Sequence, residues 1–341
     1  MPKRLRQGLF ALVAAFCSYA AAAQDVVVLG GVDEAIDWLE TENWWGEANR
    51  EQRPGVPRAI ITGIHPGWRS ASQELTVAHK KEIFYRFMLP LIVHANDMVI
   101  ERRAGVLRMQ AVVADGQHLP EAELAALRDG AVLLRVLSVD EAAALTPASD
   151  ELPAVIDEIL YKLDIIPAGL ALGQAAYESG YGTSRFAVEG NALFGQWTYG
   201  GKGLVPEQQR SNLGDHRIAA FDWPFDSVRG YFINLMSHPA YEDFRRLRAD
   251  LRARGEPLSS MALADGLIRY SERGQEYVDT LKGIIRVNKL DIADDAVFRD
   301  GPIQFLVGAE DPEAADALRA EIERLRASGE LDEIVARMRL E

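Results

Sequence analysis

The feature that most constrains the fold is a run of small and aliphatic residues, IIPAGLALGQAAYES, at positions 165–179. Pro167 suits the first turn of a helix, and the Ala, Leu and Gly that follow it indicate a helix packed closely against its neighbours. Glu178 comes at the end of this run, and Gly180 and Gly182 follow at once. The sequence therefore predicts a buried helix that ends in a carboxylate and a sharp, glycine-rich turn.

Glu178 is an unusual residue for this position. The C-terminal end of a helix carries partial negative charge, which disfavours a carboxylate, and packing against apolar side chains removes water from it. Both effects raise the pKa of a glutamate, and a carboxyl that stays protonated near neutral pH is what a general acid requires. The alternative is an exposed glutamate at a helix end, before a glycine cap.

The rest of the chain is mostly helical in pattern. Apolar residues recur at helical spacing from Gln73 to about Leu107, where Pro90 is expected to kink or split the helix. VVVLGG, at positions 26–31, is compatible with a short strand, and residues 191–222 alternate between apolar and polar and contain several glycines, which predicts a small β-hairpin lobe. Further helices are predicted at 120–128, 138–145, 156–163, 226–235, 241–254, 259–270 and 276–288, and the tail from 304 has two amphipathic stripes.

A longer segment carries a more specific signal. LALGQAAYESGYGTSRFAVEGNALFGQW, at positions 170–197, closely resembles the signature of bacterial N-acetylglucosaminidases of glycoside hydrolase family 73. Upstream, KKEIFYRFMLPLIVHANDMVIERR is similar to the helical region that precedes this domain in Bax-type proteins. Downstream, YSERGQEYVDTLKGIIRVNKL resembles the closing helix of the family. The resemblance covers roughly residues 75–290.

The resemblance implies a fold class and a reaction. It implies a mainly α (α+β), lysozyme-like fold with a helical lobe and a small β-hairpin lobe, preceded by a helical N-terminal region. The substrate would be the glycan strands of peptidoglycan, cut at the β-1,4 bond on the reducing side of N-acetylglucosamine, and Glu178 takes the place of the general acid. The expected domains are a signal peptide at 1–23, a mainly helical region at 24–145, the glucosaminidase domain at 146–290 and a helical extension at 291–341.

A second acidic group is expected on the β-lobe. The family places one some thirty to forty residues after the general acid, and Glu207 fits best, with Asp215 and Asp222 as alternatives. Carboxyl groups ~5–5.5 Å apart would indicate a retaining mechanism, and a separation of ~6.5–9.5 Å an inverting one. Substrates with an N-acetyl group can also use their own amide as the nucleophile, and Glu207 can equally be a solvated hairpin residue.

Two tyrosines lie where the family keeps cleft tyrosines. Tyr270 and Tyr277 are seven positions apart, so they can also share a core-facing side of one helix unless Gly274 breaks it. The segment YSERGQEY replaces a Thr-Asp-Pro turn that many family members have. The predicted catalytic set is Glu178, Glu207, Tyr270 and Tyr277.

The predicted substrate-binding residues follow the signature. Trp197 and Tyr199 would stack on sugar rings or pack within the β-lobe, and Asn191 and Phe194 belong to the same set with a mainly architectural part. The six histidines are scattered and none lies in an H-E-x-x-H arrangement, so no metal and no cofactor are expected.

The N-terminus predicts export. Lys3, Arg4 and Arg6 precede an apolar run and a small-residue end at Ala21–Ala23, the pattern of a secretory signal peptide cut after residue 23. The alternative is a membrane anchor, for which the run is short. Cys17, the only cysteine, lies in this segment, so a mature chain would lack thiols and disulfides. We therefore expect a periplasmic protein without an integral membrane span after signal removal.

Charge and motifs separate the competing functions. The net charge of −14 argues against nucleic acid as a partner. The leading hypothesis is an exported peptidoglycan glucosaminidase. The alternatives are a lytic transglycosylase or muramidase on the same fold, which also uses one glutamate, and a catalytically weak peptidoglycan-binding module.

Overall fold

The computed structural model describes residues 25–46, 55–198, 203–205 and 217–337. Most of them are helical. The α-helices are α1 (Val32–Thr41), α2 (Trp68–Glu74), α3 (Val77–Ala114), α4 (Glu121–Leu133), α5 (Val139–Ala144), α6 (Leu152–Lys162), α7 (Ala168–Ser179), α8 (Arg185–Gly190), α9 (Pro224–Ser237), α10 (Glu242–Ala253), α11 (Ser260–Leu263), α12 (Gln275–Val287), α13 (Pro312–Ser328) and α14 (Glu330–Arg337). Short 3₁₀ helices occupy Pro239–Tyr241, Ala264–Tyr270 and Leu290–Asp295.

The strands are short. They are β1 (Asp25–Leu29), β2 (Gly55–Val56), β3 (Ala59–Ile61), β4 (Trp197–Thr198), β5 (Gly203–Leu204), β6 (Arg217–Ala219), β7 (Val297–Phe298) and β8 (Gln304–Gly308). The mainly α, α+β class predicted from the sequence is confirmed. The small β-lobe is present as an antiparallel sheet in the order β4-β6-β5, in which Trp197 pairs with Ile218.

The chain forms two compact units. The first contains the residues up to Leu91, Ala175–Val228 and the segment from Ala296 onward. The second contains Ile92–Gln174 and Arg229–Asp295. Glu178, the β-lobe and both terminal segments therefore belong to the first unit, and most of the long helices belong to the second.

A parallel sheet joins the two ends of the chain within the first unit. Its order is β1-β8-β3, with Val26 opposite Phe305 and Ile60 also opposite Phe305. The middle strand comes from the C-terminal segment, which the sequence predicted to be helical only. A five-residue strand is too short to show a clear period, and its partners lie more than 240 residues away, so the pattern of the tail alone did not reveal it.

The second unit shows why helix α7 is rich in small residues. A Cβ at Gly169 would lie 2.2 Å from the carbonyl oxygen of Leu290, so the helix packs directly against backbone. Nearby, the buried Arg248 donates to the carbonyls of Lys162 (2.6 Å) and Asp164 (2.7 Å). Burial raises the pKa of the Asp164 carboxyl, but the hydrogen bond from Arg252 and the charges of Arg248 and Arg252 outweigh it and hold this pKa below its ordinary value.

Helix α3 is the longest element and contains Pro90. Among the described residues it is the one helix long and apolar enough to cross a membrane, and 67% of its most hydrophobic window is buried in the folded chain, as in a core helix. The helix runs from Val77 to Ala114 without interruption. Of the two predicted effects of Pro90, a split of the helix is therefore wrong, and a kink stays a prediction.

An indole replaces the hydrogen bond that Pro90 cannot make. Proline has no N–H, so the carbonyl four residues earlier, that of Arg86, loses its helical donor. The indole N–H of Trp44 donates to this carbonyl at 3.1 Å, and Trp44 is 1% exposed. The Arg86 guanidinium lies 4.5 Å from the centre of the Trp44 ring. Because a donor from outside satisfies the carbonyl, the helix continues through the proline.

Trp44→Phe is expected to lower the free energy of unfolding by about 1–3 kcal/mol, since the carbonyl of Arg86 is left without a donor. In a Pro90→Ala background a new backbone N–H reaches the same carbonyl, so the same substitution should cost less there. Urea unfolding of the four proteins measures this coupling, and the loss of ring packing cancels in the cycle. Equal losses in both backgrounds would contradict the role of the indole.

Candidate active site

The end of helix α7 and the turn after it place Glu178. Ser179 is fully buried; its hydroxyl donates to the carbonyl of Ala175 (2.6 Å) and accepts from the backbone N–H of Gly182 (2.8 Å). The N–H of Tyr181 donates to the carbonyl of Ala176 at 2.9 Å. These hydrogen bonds end helix α7 and connect the following loop to the last residues of the helix. The position of Glu178 therefore depends on the helix and on the loop.

Three consecutive residues of this turn are left-handed. Gly180, Tyr181 and Gly182 have φ of 58°, 59° and 74°. Glycine adopts this region freely, but a tyrosine does so at a cost of ~1–2 kcal/mol. The predicted sharp turn is thus present, and its middle residue needs support from the surrounding structure.

Glu178 is half-buried and lies against the Asn-Ala-Leu-Phe-Gly segment. A Cβ placed on Gly195, which has φ of 61°, would lie 3.6 Å from its Oε2 atom. The carboxylate and the backbone at position 195 are therefore neighbours. The two halves of the sequence signature meet in space, with the carboxyl at the junction.

Asn191 uses its side chain within the protein. It has a left-handed φ of 50° after helix α8. Its Oδ1 accepts from the N–H of Ile64 at 3.1 Å, and its Nδ2 donates to the carbonyls of Phe221 (3.1 Å) and Asp222 (3.0 Å). These contacts join three separate segments of the first unit.

The two other described residues of the predicted substrate-binding set differ in exposure. Phe194 is 2% exposed and packs in the core, whereas Trp197 is 50% exposed on strand β4. Ser227 supports the loop between them, since its hydroxyl accepts from the N–H of Leu193 at 3.0 Å and donates to Oε1 of Gln196 at 3.2 Å. Of these two residues, Trp197 is therefore the more accessible to solvent.

Of the three candidates for the second carboxylate, one lies among the described residues. Glu207, Asp215 and Tyr199 lie outside the described residues. Asp222 is described: it is exposed, just before helix α9, and its carbonyl receives the hydrogen bond from Asn191.

Tyr270 and Tyr277 lie in the second unit and stack on each other. Their ring centres are 5.5 Å apart and their planes differ by 9°. Gly274, with φ of 54°, breaks the helical path between them, and helix α12 begins after it. Tyr277 is 1% exposed, while Tyr270 is half-buried.

A buried hydrogen-bonded chain orients Tyr277. The hydroxyl of Tyr231 donates to Oε1 of Gln174 at 2.5 Å, and Nε2 of Gln174 donates to the Tyr277 hydroxyl at 2.9 Å. Gln174 and Tyr231 are fully buried. The Tyr277 hydroxyl thereby has a defined direction in the core of this unit.

Comparison with known proteins places the chain in a family. The family model described as mannosyl-glycoprotein endo-beta-N-acetylglucosaminidase matches residues 154–290. The curated protein named Protein bax, from Escherichia coli (strain K12), is 30% identical over 214 residues, which cover 63% of this chain and 72% of that protein. No solved structure matches the chain.

The chain belongs to the Bax-type proteins that carry a glucosaminidase domain. The resemblance inferred from the sequence is confirmed. This Bax-type protein is a glycoside hydrolase of the endo-β-N-acetylglucosaminidase type, on a mainly helical fold of lysozyme-like class. Glu178, Gly195 and Asn191 all lie inside the matched region.

Sequence reasoning did not single out two residues that contact Tyr277 or the turn after Glu178. The sequence could have indicated the role of Gln174, because a polar side chain inside an apolar helix requires buried hydrogen-bond partners. Trp68, whose indole N–H donates to the carbonyl of Tyr181 at 2.9 Å, gave none, since the two residues are 113 positions apart. Within the described ranges no cluster of three or more potential metal ligands is found.

Asn191→Asp is expected to lower the free energy of unfolding by about 1–3 kcal/mol at neutral pH, because an oxygen then faces two carbonyl oxygens. That repulsion raises the folded-state pKa of the new carboxyl, so the loss should be largest above its unfolded pKa of about 4 and shrink at lower pH. Urea unfolding at pH 7 and pH 3.5 measures both effects. A variant as stable as the native protein at pH 7 would contradict this reading of the hydrogen bonds.

Proposed function

We propose that this Bax-type protein is an exported peptidoglycan hydrolase that cleaves the β-1,4 bond on the reducing side of N-acetylglucosamine. Glu178 is its general acid. The observation that carries the proposal is the junction of Glu178 with Gly195, which puts a half-buried carboxyl at the meeting point of the two halves of the glucosaminidase signature.

The local geometry suits proton donation. The carboxyl sits at the C-terminal end of helix α7, half-buried and directly before the left-handed turn. Gly195 presents no side chain beside it, so a sugar ring can approach the carboxyl closely. A general acid must come within hydrogen-bond reach of the glycosidic oxygen, and a bare backbone position allows this.

The exposed ring of Trp197 provides a surface for the glycan. Aromatic faces pack well against the apolar faces of sugar rings, and this ring is on the same unit as Glu178. Glu207 is the proposed second carboxylate, and the acetamido group of the substrate is the alternative nucleophile.

Glu178→Gln is expected to reduce turnover by ~10²–10⁴-fold, because the amide cannot donate the proton that the leaving sugar oxygen needs. Purified mature protein is incubated with sacculi, and the released fragments are reduced with borohydride and identified by mass spectrometry. Reduced N-acetylglucosamine ends, lost in the variant, support the proposal. Glu189→Gln is the matched control, since Glu189 is an exposed glutamate eleven positions further along.

Other products would point to the alternatives. Anhydro-muramic ends would assign the protein to the lytic transglycosylases, and reduced muramic ends to the muramidases. No release by the native protein, with native protein and variant both sedimenting with sacculi, would overturn the enzymatic proposal in favour of a binding module.

Export is tested separately. If residues 1–23 are a signal peptide, the protein recovered from the periplasm of a Gram-negative host should begin at Gln24. N-terminal sequencing of that fraction measures the cleavage site. An intact N-terminus in the membrane fraction would instead support an uncleaved anchor.

A further inference from the structure

We propose that Trp68, which lies outside the matched domain, is a positioning residue for Glu178. It acts by holding the left-handed turn that follows the carboxylate. The inference rests on the proposed function, in which Glu178 is the general acid. It would make the segment before the glucosaminidase domain a working part of the active site rather than an accessory region.

The central contact is one partly buried hydrogen bond. The Trp68 indole N–H donates to the carbonyl of Tyr181 at 2.9 Å, and Trp68 is 8% exposed. A Cβ at Gly182 would lie 3.3 Å from the indole nitrogen, so the turn and the ring are in close contact. Tyr181 is the residue whose left-handed conformation is unfavourable by itself.

The N-terminal part of helix α3 contacts the side chain of Tyr181. Its ring makes edge contacts with Phe84 (5.8 Å between centres) and Tyr85 (5.9 Å). The ammonium groups of Lys80 and Lys81 lie 5.8 Å and 5.6 Å from the ring centre. All four residues belong to helix α3, so the backbone and the ring of Tyr181 both depend on residues before position 91.

A short path connects this contact to the carboxylate. Tyr181 and Gly182 are bonded back to Ala176 and to Ser179, on either side of Glu178. A displacement of the turn therefore moves the last turn of helix α7. Such a movement would shift the Glu178 carboxylate relative to Gly195. A misplacement of a catalytic group by about 1 Å can lower the rate on the order of 100-fold.

The loop before Trp68 also contacts Asn191, in the segment that contains Gly195. The N–H of Ile64 donates to Oδ1 of Asn191 at 3.1 Å. Residues 64–68 thus bind one segment next to Glu178 and one segment next to Gly195. The relative placement of these two segments is set by a single short loop of the N-terminal region.

A largely apolar cavity of about 110 Å³ lies within the first unit and borders Trp68, Phe84 and Gly182. The indole lacks packing contacts on the side of this cavity, so the hydrogen bond to Tyr181 contributes to its orientation.

Trp68→Phe removes this donor, and Trp38→Phe is the matched control. Trp38 is also 8% exposed and also donates an indole hydrogen bond of 2.9 Å, to Oε1 of Gln304 in the parallel sheet. We expect similar losses of thermal stability in both variants. On solubilised peptidoglycan strands, Trp68→Phe should lower kcat about tenfold or more with KM changed less than about twofold, and Trp38→Phe should leave kcat unchanged.

Amide hydrogen exchange gives a readout independent of turnover. Exchange at residues 181–184 should become faster in Trp68→Phe and stay as in the native protein in Trp38→Phe. Equal kcat in both variants, or unchanged exchange at the turn, would overturn the inference. If the native protein shows no turnover, the proposed function fails, and the exchange comparison alone decides whether Trp68 holds the turn.

Discussion

The left-handed turn at Gly180, Tyr181 and Gly182 is the constraint on which the proposed active site depends. It reverses the chain directly after Glu178, and its middle residue is unfavourable there without support. The buried hydroxyl of Ser179 accepts a hydrogen bond from the N–H of Gly182, and the indole of Trp68 donates one to the carbonyl of Tyr181. These bonds restrict the chain that follows Glu178 and so help to define the position of its carboxylate.

The same physical rule appears elsewhere in the first unit: a backbone group that loses its regular partner is satisfied by a side chain from a distant segment. Trp44 supplies the donor that Pro90 lacks, and so a long helix runs through a proline. Asn191 bonds to two other segments at once, at Ile64 and at Phe221 and Asp222. In each case a hydrogen bond between distant segments satisfies a backbone group that has no local partner. These segments therefore depend on one another for folding.

Local patterns predicted most of the helices and singled out Glu178 as the candidate acid. The apolar run before Glu178, the glycine turn and the break at Gly274 depend on residues a few positions apart, and the structure has them where the sequence indicates. The strand Gln304–Gly308 was missed, because its stability comes from pairing with strands near the other end of the chain. That the helix is not split at Pro90 was not predictable for the same reason, since the compensating indole lies 42 positions from its carbonyl partner.

The sequence by itself determined the family, the helical class and the identity of the candidate acid, because these depend on residue types at short spacing. The tertiary structure decided the surroundings of the candidate residues within each unit. It showed that Gly195 lies beside Glu178, that Tyr277 is buried and oriented through Gln174, and that Trp68 reaches the turn. Such contacts join residues up to 113 positions apart. They form only when separate elements pack together, so neither the periodicity nor the composition of the sequence predicts them.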